Sequence, residues 1–183
     1  PALILLAPAA HAQQTEWTGF HGNGMAQKYS ASTQITPENV GDLEMAWEIH
    51  TGDVSDGSGD IPGTVWSATP ILANDLLYVG TPFYRILAVH PDTGEIAWTY
   101  EPDDTTLEPL SQPELKNRGV TYWEAEGDGP CARRVYIGTM DAELHAVDAD
   151  TGELCADFGE GGILDVNQWN KPDANFPLSQ LQP

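Results

Sequence analysis

The sequence predicts an all-β protein, specifically part of a β-propeller built from four-stranded sheets. Residues 78–98 alternate short apolar runs with turn residues, and the same pattern returns 58 residues later, at residues 136–156. The 183 residues also include 18 Gly and 14 Pro, which favours many turns and short strands over long helices. A strand-based internal repeat of this length indicates stacked sheet units.

The repeated segment contains three predicted strands. In the first copy they are residues 78–81, 86–89 and 95–98, with a turn at residues 91–94. Proline restricts φ at the start of that turn, and Gly94 supplies a positive φ at its end. The two copies share Tyr, Gly, Thr, an Ala-Val pair and the sequence Asp-Thr-Gly-Glu in register. Short runs separated by turns predict antiparallel neighbouring strands.

The flanking residues extend each copy to four strands. In the first unit, residues 68–72 form a further strand, joined to the next by a hairpin turn at Asn74 and Asp75. The second unit is predicted to contain four strands, at residues 118–123, 133–139, 143–148 and 153–158. Residues 159–162 and those from Asp165 onward are predicted to be exposed loops.

Two elements are predicted before the units. Thr36 suits the N-cap of a short helical turn, Pro37 its first position and Glu38 its positive end. Residues 43–50 alternate apolar and polar side chains, which predicts a strand around Trp47. This strand would be the outer strand of an earlier or closing blade. Because two blades cannot close a ring, the rest of the propeller is expected beyond Pro183.

The chain is strongly acidic, with 28 acidic and 7 basic residues and a formal net charge of −21. A surface with this charge repels nucleic acid and anionic lipid head groups, so nucleic acid is not expected as a partner. The charge fits a solubility or high-salt adaptation, and it also fits docking to a basic partner protein. The sequence contains no phosphate-binding loop, nucleophile elbow or paired-cysteine zinc motif.

The first residues have features of an exported protein. Residues 2–10 are apolar, and Ala10-His11-Ala12 has the small-x-small pattern of a signal-peptidase site. We predict a truncated signal peptide at residues 1–12, cleaved after Ala12, and a periplasmic location; membrane association is left open. The alternative is the end of a truncated transmembrane helix, although the run is shorter than the roughly 20 residues of a span.

Cys131 and Cys155 are the two cysteines of the chain. In an oxidising compartment they could form one disulfide. A predicted strand lies between their positions, so their Cα atoms could be further apart than the roughly 7 Å that a disulfide spans. The sequence leaves both the bonded and the free state open.

The turn of the first copy resembles a motif of a known family. Ala88, Asp92-Thr93-Gly94 and Trp98 have the spacing of the tryptophan-docking repeat in the pyrroloquinoline-quinone (PQQ)-dependent dehydrogenases, where the Trp of each blade stacks on the next blade. In the second copy Ala156 replaces this Trp. Other segments resemble the glucose, quinate and shikimate dehydrogenase branch; they are Arg118-Gly119-Val120, Tyr122-Trp123, Cys131-x-Arg133-Arg134, Gly138-Thr139-x-Asp141-Ala142 and Cys155-x2-Phe158-Gly159-x2-Gly162.

This resemblance covers about residues 15–170 and implies an eight-bladed propeller, of which residues 13–183 are the amino-terminal part. It implies PQQ as cofactor, together with a Ca²⁺ ion whose ligands are expected beyond residue 183, as is the catalytic Asp. It implies that an alcohol, sugar or cyclic polyol is oxidised by hydride transfer to PQQ, with ubiquinone or cytochrome c as electron acceptor. The fragment alone is expected to be inactive.

Three residues match positions that line the cofactor in the family. Arg118 matches an arginine that faces the cofactor carboxylates, which a guanidinium fork suits; the alternative is a surface salt bridge. Thr139 matches a hydroxyl that hydrogen-bonds the cofactor; the alternative is an ordinary turn residue. Ser67 stands where the family usually has Glu or Gln. Phe83 stands where the glucose branch often has His, which leaves glucose as substrate open.

A second hypothesis is a non-enzymatic propeller, a scaffold or binding protein of the outer-membrane assembly type. Such a protein uses the same Trp repeat without a cofactor. A pseudo-enzyme is a third hypothesis, supported by the departure at Ser67. The arginine motif at Arg118 and the motif at Cys155 favour the enzyme, because a generic propeller repeat does not need them.

Overall fold

The protein is described from a computed structural model that covers residues 16–22, 24–103 and 114–169. The predicted signal segment at residues 1–12 and the Pro-rich residues 170–183 lie outside the described residues. No helix among the described residues is both long and apolar enough to cross a membrane.

The architecture is all-β, as predicted. The strands are β1 (Gly63–Trp66), β2 (Ile71–Ala73), β3 (Leu76–Gly80), β4 (Ile86–Val89), β5 (Ile96–Tyr100), β6 (Glu114–Asn117), β7 (Thr121–Glu124), β8 (Arg133–Gly138), β9 (Glu143–Asp148) and β10 (Ile163–Asp165). Short 3₁₀ helices span Val40–Asp42 and Val166–Trp169. Two four-stranded antiparallel sheets have the strand orders β2-β3-β4-β5 (the first sheet) and β7-β8-β9-β10 (the second sheet), and β1 pairs with β6 in parallel.

The first sheet forms the meander that the sequence predicts. Asn74 and Asp75 have φ values of 48° and 59°, which is the left-handed conformation that Asn and Asp tolerate in tight hairpins. They place Ala73 opposite Leu76. The hydrogen bonds of the turn at residues 90–95 recur at residues 148–153, which confirms the 58-residue offset of the repeat.

One face of the first sheet packs against one face of the second. Side chains at alternate strand positions share a face, and those directed into this interface are fully buried and mostly apolar. They are Ile71, Tyr78, Ile86, Ala88, Tyr100, Val135, Ile137 and Val147. The interface between the two sheets is therefore the hydrophobic core of the described chain.

The opposite face of the first sheet is also apolar. Leu77 and Val79 of β3 alternate with the core residue Tyr78 and line a groove of about 550 Å³. Trp47 and Ile49, from the chain before β1, form another side of this groove. The first sheet therefore offers apolar surface on both faces, as expected for a blade within a stack.

Two tryptophans dock on the turns of the units that follow them. The indole nitrogen of Trp47 donates to the carbonyl of Pro91 at 3.0 Å, and that of Trp98 donates to the carbonyl of Ala149 at 3.1 Å. A Cβ added to Gly94 would lie 2.6 Å from the Trp47 ring, and one added to Gly152 would lie 2.8 Å from the Trp98 ring. The predicted stacking of Trp98 on the next unit is confirmed.

The prediction of a strand at residues 43–50 is wrong, because this segment forms no β-ladder with any described residue. Trp47 and Ile49 are half-buried and line the groove, whereas Leu43 and Met45 are exposed. Part of the alternating pattern therefore reflects contact of Trp47 and Ile49 with the first sheet, and this contact does not require hydrogen-bonded neighbouring strands.

The fourth strand of the second unit is also not where the sequence predicts it. Leu154 makes a single bridge to Val147, after which residues 156–159 form a turn. The outer position is then taken by β10, whose Ile163 pairs with His145. Gly159 makes this turn possible, because an added Cβ would lie 2.1 Å from the carbonyl oxygen of Ile163.

Other predicted boundaries shift as well. The strand predicted at residues 118–123 is present only as β7, which begins at Thr121, and the preceding strand β6 ends at Asn117. The parallel pairing of β6 with β1 was not predicted. The helical turn near Thr36 exists, but the Thr36 side chain does not cap it. Instead the side-chain oxygen of Asn39 accepts from the Thr36 amide at 2.7 Å.

Cys131 and Cys155 form a disulfide, with their Cα atoms 5.7 Å apart. The predicted intervening strand, β9, does not separate them because Cys131 lies beside its end. The Cys131 amide donates to the carboxylate of Asp148, and the Cys155 amide donates to the carbonyl of Ala146. The bond therefore ties the turn before β8 to the interrupted outer segment of the second unit.

We expect Gly152→Ala to destabilise the protein by about 2 kcal/mol more than Gly161→Ala. Both glycines have positive φ values, 79° and 64°, so both variants carry a similar backbone cost. Only at residue 152 would the new methyl group collide with an indole ring, and overpacking typically costs about 1–3 kcal/mol. Urea denaturation of the two variants measures the difference; equal midpoints would contradict a tight Trp98 contact.

Removing the disulfide should lower the free energy of unfolding by about 3 kcal/mol, because the bond closes a loop with a sequence separation of 24. The measurement compares Cys131→Ala/Cys155→Ala with the unmodified chain. Thiol titration in denaturant should detect no thiol without reductant and both cysteines with it. Equal titres in the two conditions would show that the cysteines are not bonded.

Candidate cofactor site

Ser67 and Arg118 lie next to each other at one end of the parallel pair. The register places Trp66 opposite Asn117, so each predicted site residue directly follows a paired strand end. The hydroxyl of Ser67 donates to the carbonyl oxygen of Asn117 at 3.1 Å. Both Ser67 and Arg118 are exposed. The structure thus brings together two residues that are 51 positions apart in the sequence (118 − 67).

Asn117 is the centre of this arrangement, and the sequence analysis missed it. It is only 2% exposed. Its side-chain oxygen accepts from the Gly119 amide at 2.7 Å, and its side-chain nitrogen donates to the Gly138 carbonyl at 3.4 Å. An Asn two residues before a Gly is a signal for a turn closed by the Asn side chain. That signal was present in the sequence but gave no link to the second sheet.

Thr139 lies close by but beneath the surface. It follows Gly138 at the end of β8 and is 0% exposed. Its hydroxyl has no hydrogen-bond partner within the described part of the chain. Thr139 therefore joins the cluster through Gly138 and Asn117, whereas Ser67 and Arg118 face solvent.

Arg118 differs from the other described arginines in its charge partners. Arg85 forms a two-pronged pair with Asp53, Arg133 pairs with Asp150 at 2.8 Å, and Arg134 pairs with Asp157. Arg118 forms no ion pair or side-chain hydrogen bond with residues 16–22, 24–103 or 114–169. A guanidinium has the geometry to bind a carboxylate through two hydrogen bonds. The alternative of a surface salt bridge finds no support among these residues.

The carboxylates near the other arginines are already occupied. The hydrogen bond from Arg133 holds the pKa of the Asp150 carboxyl below its usual value. Asp150 also accepts from the Asn74 side chain at 2.8 Å, so it links the hairpin of the first sheet to the second sheet. This pair is structural and lies on the turn after β9, whereas Arg118 follows β6.

A buried chain of polar groups connects the two sheets. The Tyr100 hydroxyl lies 2.7 Å from Nδ1 of His145, and Nε2 of His145 lies 3.0 Å from the carboxylate of Glu143. Burial raises the pKa of Tyr100 to about 12. Burial likewise raises the pKa of Tyr84 to about 12, but the Tyr84 hydroxyl has no hydrogen-bond partner among the described residues.

The described residues offer one group of side chains that could hold a metal, namely Cys131, Cys155 and Asp157. Its two sulfur atoms are joined in the disulfide, so they are not available as thiolate ligands.

The chemistry that the Ser67–Arg118 cluster offers is the binding of an anion that accepts hydrogen bonds from a guanidinium.

Comparison with known proteins agrees with this architecture. Residues 17–181 match the PQQ-type glucose/ethanol/alcohol dehydrogenase β-propeller domain. The chain belongs to the PQQ-dependent dehydrogenase family. The fold class and the family predicted from the sequence are therefore both confirmed.

Curated relatives of this quinoprotein chain include sugar and polyol dehydrogenases. It is 34% identical to the quinoprotein glucose dehydrogenase of Gluconobacter oxydans, over 86% of this chain and 20% of that protein. It is 32% identical to the quinate/shikimate dehydrogenase (quinone) of Acinetobacter baylyi, over 91% of this chain and 22% of that protein. The chain thus spans about a fifth of the length of the curated relatives it matches.

A solved structure supports the same family fold. The quinohemoprotein alcohol dehydrogenase of Comamonas testosteroni superimposes with a TM-score of 0.60 at 28% identity, covering 79% of this chain and 19% of that one. The two sheets described above therefore correspond to part of a larger propeller in that relative.

We expect Tyr84→Phe to be neutral or stabilising by about 1 kcal/mol at neutral pH, because it removes a buried hydroxyl that has no hydrogen-bond partner among the described residues. Tyr84 is raised to a pKa of about 12, above its unfolded value of about 10. Its neutral form therefore contributes stability that is complete below about pH 10 and is lost as pH rises towards 12. The variant should lose less stability than the parent over that range, measured by denaturation at each pH.

The matched control is Tyr100→Phe, which removes the hydrogen bond to His145. At neutral pH this variant should be destabilised by about 1 kcal/mol. Equal effects of the two substitutions would contradict the different hydrogen bonding of Tyr84 and Tyr100.

Proposed function

We propose that the protein containing this chain is a quinoprotein dehydrogenase that oxidises a sugar, alcohol or cyclic polyol with PQQ as hydride acceptor. Family membership supports the cofactor class, and the activities after which the relatives are named support the substrate class. The observation that carries the proposal is the exposed Arg118 guanidinium, which has no partner among the described residues. Such a guanidinium suits a ligand that carries carboxylate groups.

PQQ supplies a quinone that accepts the hydride and carboxylate groups that a protein can bind. Arg118 would hold a carboxylate through a two-pronged, charge-assisted contact. The Ser67 hydroxyl already donates to the Asn117 carbonyl, so its free lone pairs would accept a hydrogen bond from the cofactor. This donor and acceptor pair fits an anionic ligand that also has a polar edge.

Thr139 differs from Ser67 and Arg118 in its exposure to solvent. Because its hydroxyl is fully buried, it does not share the solvent-facing surface of Ser67 and Arg118. Its hydrogen bond to the cofactor stays a prediction. Thr139 follows Gly138, whose carbonyl accepts a hydrogen bond from the Asn117 side chain.

The remaining components of the proposal concern the whole protein. We propose a Ca²⁺ ion with oxygen ligands beyond Pro183, where it would polarise the quinone. Ubiquinone or cytochrome c would accept the electrons, and the apolar residues 2–10 support export to the periplasm.

Arg118→Ala should weaken PQQ binding by the full-length apo-protein roughly 10- to 150-fold, since a charge-assisted hydrogen bond is worth about 1.5–3 kcal/mol. Arg118→Lys should restore only part of the affinity, because an ammonium group cannot make the two-pronged contact. The measurement is a PQQ titration in excess Ca²⁺, followed by activity on a panel of alcohols, sugars and cyclic polyols.

The control for this experiment is Arg134→Ala, which removes an arginine that is paired with Asp157 and lies at the opposite end of β8 from Gly138. Its half-saturation should match that of the parent. If Arg118→Ala left half-saturation unchanged, Arg118 would not belong to the site and the cofactor assignment would lose its main support.

A further inference from the structure

Asn117 is the buried amide of the Ser67–Arg118 cluster. It ends β6 with only 2% of its surface exposed, although an unpaired buried amide is costly. Its side-chain oxygen and nitrogen both have partners, and so does its backbone carbonyl. An amide bonded through both its oxygen and its nitrogen restricts the arrangement of its neighbours.

The contacts of Asn117 fall on each side of Arg118. Its side-chain oxygen accepts from the Gly119 amide at 2.7 Å, which closes a turn with Arg118 in the middle. Its backbone carbonyl accepts from Ser67 at 3.1 Å, which ties the turn to the end of β1. The direction in which Arg118 leaves the backbone therefore depends on the Asn117 side chain.

Asn117 also connects this turn to both sheets. Its side-chain nitrogen donates to Gly138 at the end of β8, in the second sheet. At the end of β3, in the first sheet, Gly80 lacks a Cβ, and an added one would lie 2.7 Å from the Asn117 side-chain oxygen. The glycine at position 80 thus makes room for the amide. The turn that presents Arg118 is therefore held by side-chain contacts to both sheets.

We infer that Asn117 is a positioning residue that sets the orientation of Arg118 towards a carboxylate ligand, with Gly80 providing the space for it. This inference rests on the proposed function, because it takes PQQ as the ligand. Asn117 itself is buried and acts on the ligand only through Arg118. The geometry of Arg118 in the site is thus determined where the first and second sheets meet.

The test uses the full-length apo-protein and PQQ titration in excess Ca²⁺ without substrate, followed by quenching of intrinsic fluorescence. Asn117→Ala should weaken PQQ binding roughly 5- to 10-fold, the equivalent of one net hydrogen bond. Gly80→Ala should weaken it in the same direction, because the new methyl group displaces the amide without removing it.

A double-mutant cycle separates positioning from general destabilisation. If Asn117 acts through Arg118, Asn117→Ala should cause little further loss in an Arg118→Ala background. Full additivity of the two losses would overturn the inference. If Asn117→Ala does not fold, Gly80→Ala is measured in the same cycle with the same criterion.

The matched control is Asn74→Ala, because the Asn74 side chain also links the two sheets, through Asp150 at 2.8 Å. This variant should lower stability and leave PQQ affinity unchanged. An equal loss of affinity in Asn74→Ala would show that any weakened contact between the sheets suffices, and it would overturn the specific role of Asn117.

Amide hydrogen exchange at Gly119 gives a readout that needs no cofactor. Exchange should be faster in Asn117→Ala than in the parent, and an unchanged rate would overturn the inference. If the parent protein bound no PQQ, the proposed function would fail, while the exchange measurement would still decide whether Asn117 holds the Arg118 turn.

Discussion

The contact between an indole ring and a glycine in the following turn is the interaction on which the arrangement of the two units depends. Trp98 covers Gly152 and hydrogen-bonds to Ala149, so both the ring face and the ring nitrogen are used. This contact sets the distance between the outer edges of the sheets. Tyr78 adds a second donor to the same Ala149 carbonyl at 3.2 Å. Trp98 and Tyr78 thus join the first sheet to the turn that follows β9 in the second sheet.

The charge of the chain shapes how its few cations are used. Arg85 holds the extended segment before β1 through Asp53 and the Thr51 carbonyl, and Arg133 holds the turn after β9 through Asp150. Such pairs satisfy acids that are close in space, and partly buried ones are less sensitive to salt than exposed ones. Arg118 has no such structural duty among the described residues. Arg118 is the arginine that the proposed function assigns to a ligand of opposite charge.

Local chemistry made part of this structure predictable. The hairpin at Asn74 and Asp75 and the turn at Gly94 follow from the conformations that these residues tolerate, and the repeat extends the same logic to the second unit. The segment around Trp47 misled the prediction because one-sided contact and strand pairing produce the same alternation. The outer strand of the second unit was misplaced because Gly159 allows the chain to turn away before pairing resumes at Ile163.

The site was only partly predictable, for a different reason. Family resemblance pointed to Ser67, Arg118 and Thr139 individually, but the parallel pairing that brings the first two together joins residues far apart in the sequence and has no local pattern. Asn117 was missed because a single buried amide leaves no periodic signal. The family resemblance also did not indicate that Thr139 is buried, because burial depends on which segments pack over the end of a strand.

Docking onto a main-chain carbonyl has a consequence for how such repeats diverge. Trp47 and Trp98 donate to residues 91 and 149, which are Pro in one unit and Ala in the other. Since every residue type has the same backbone carbonyl, the residue at these acceptor positions can change while the hydrogen bond from the indole is kept. The glycine three residues later has no such freedom, because any side chain there would enter the space of the ring. Mutational tolerance should therefore differ sharply between two neighbouring positions of one turn, independently of what the complete protein catalyses.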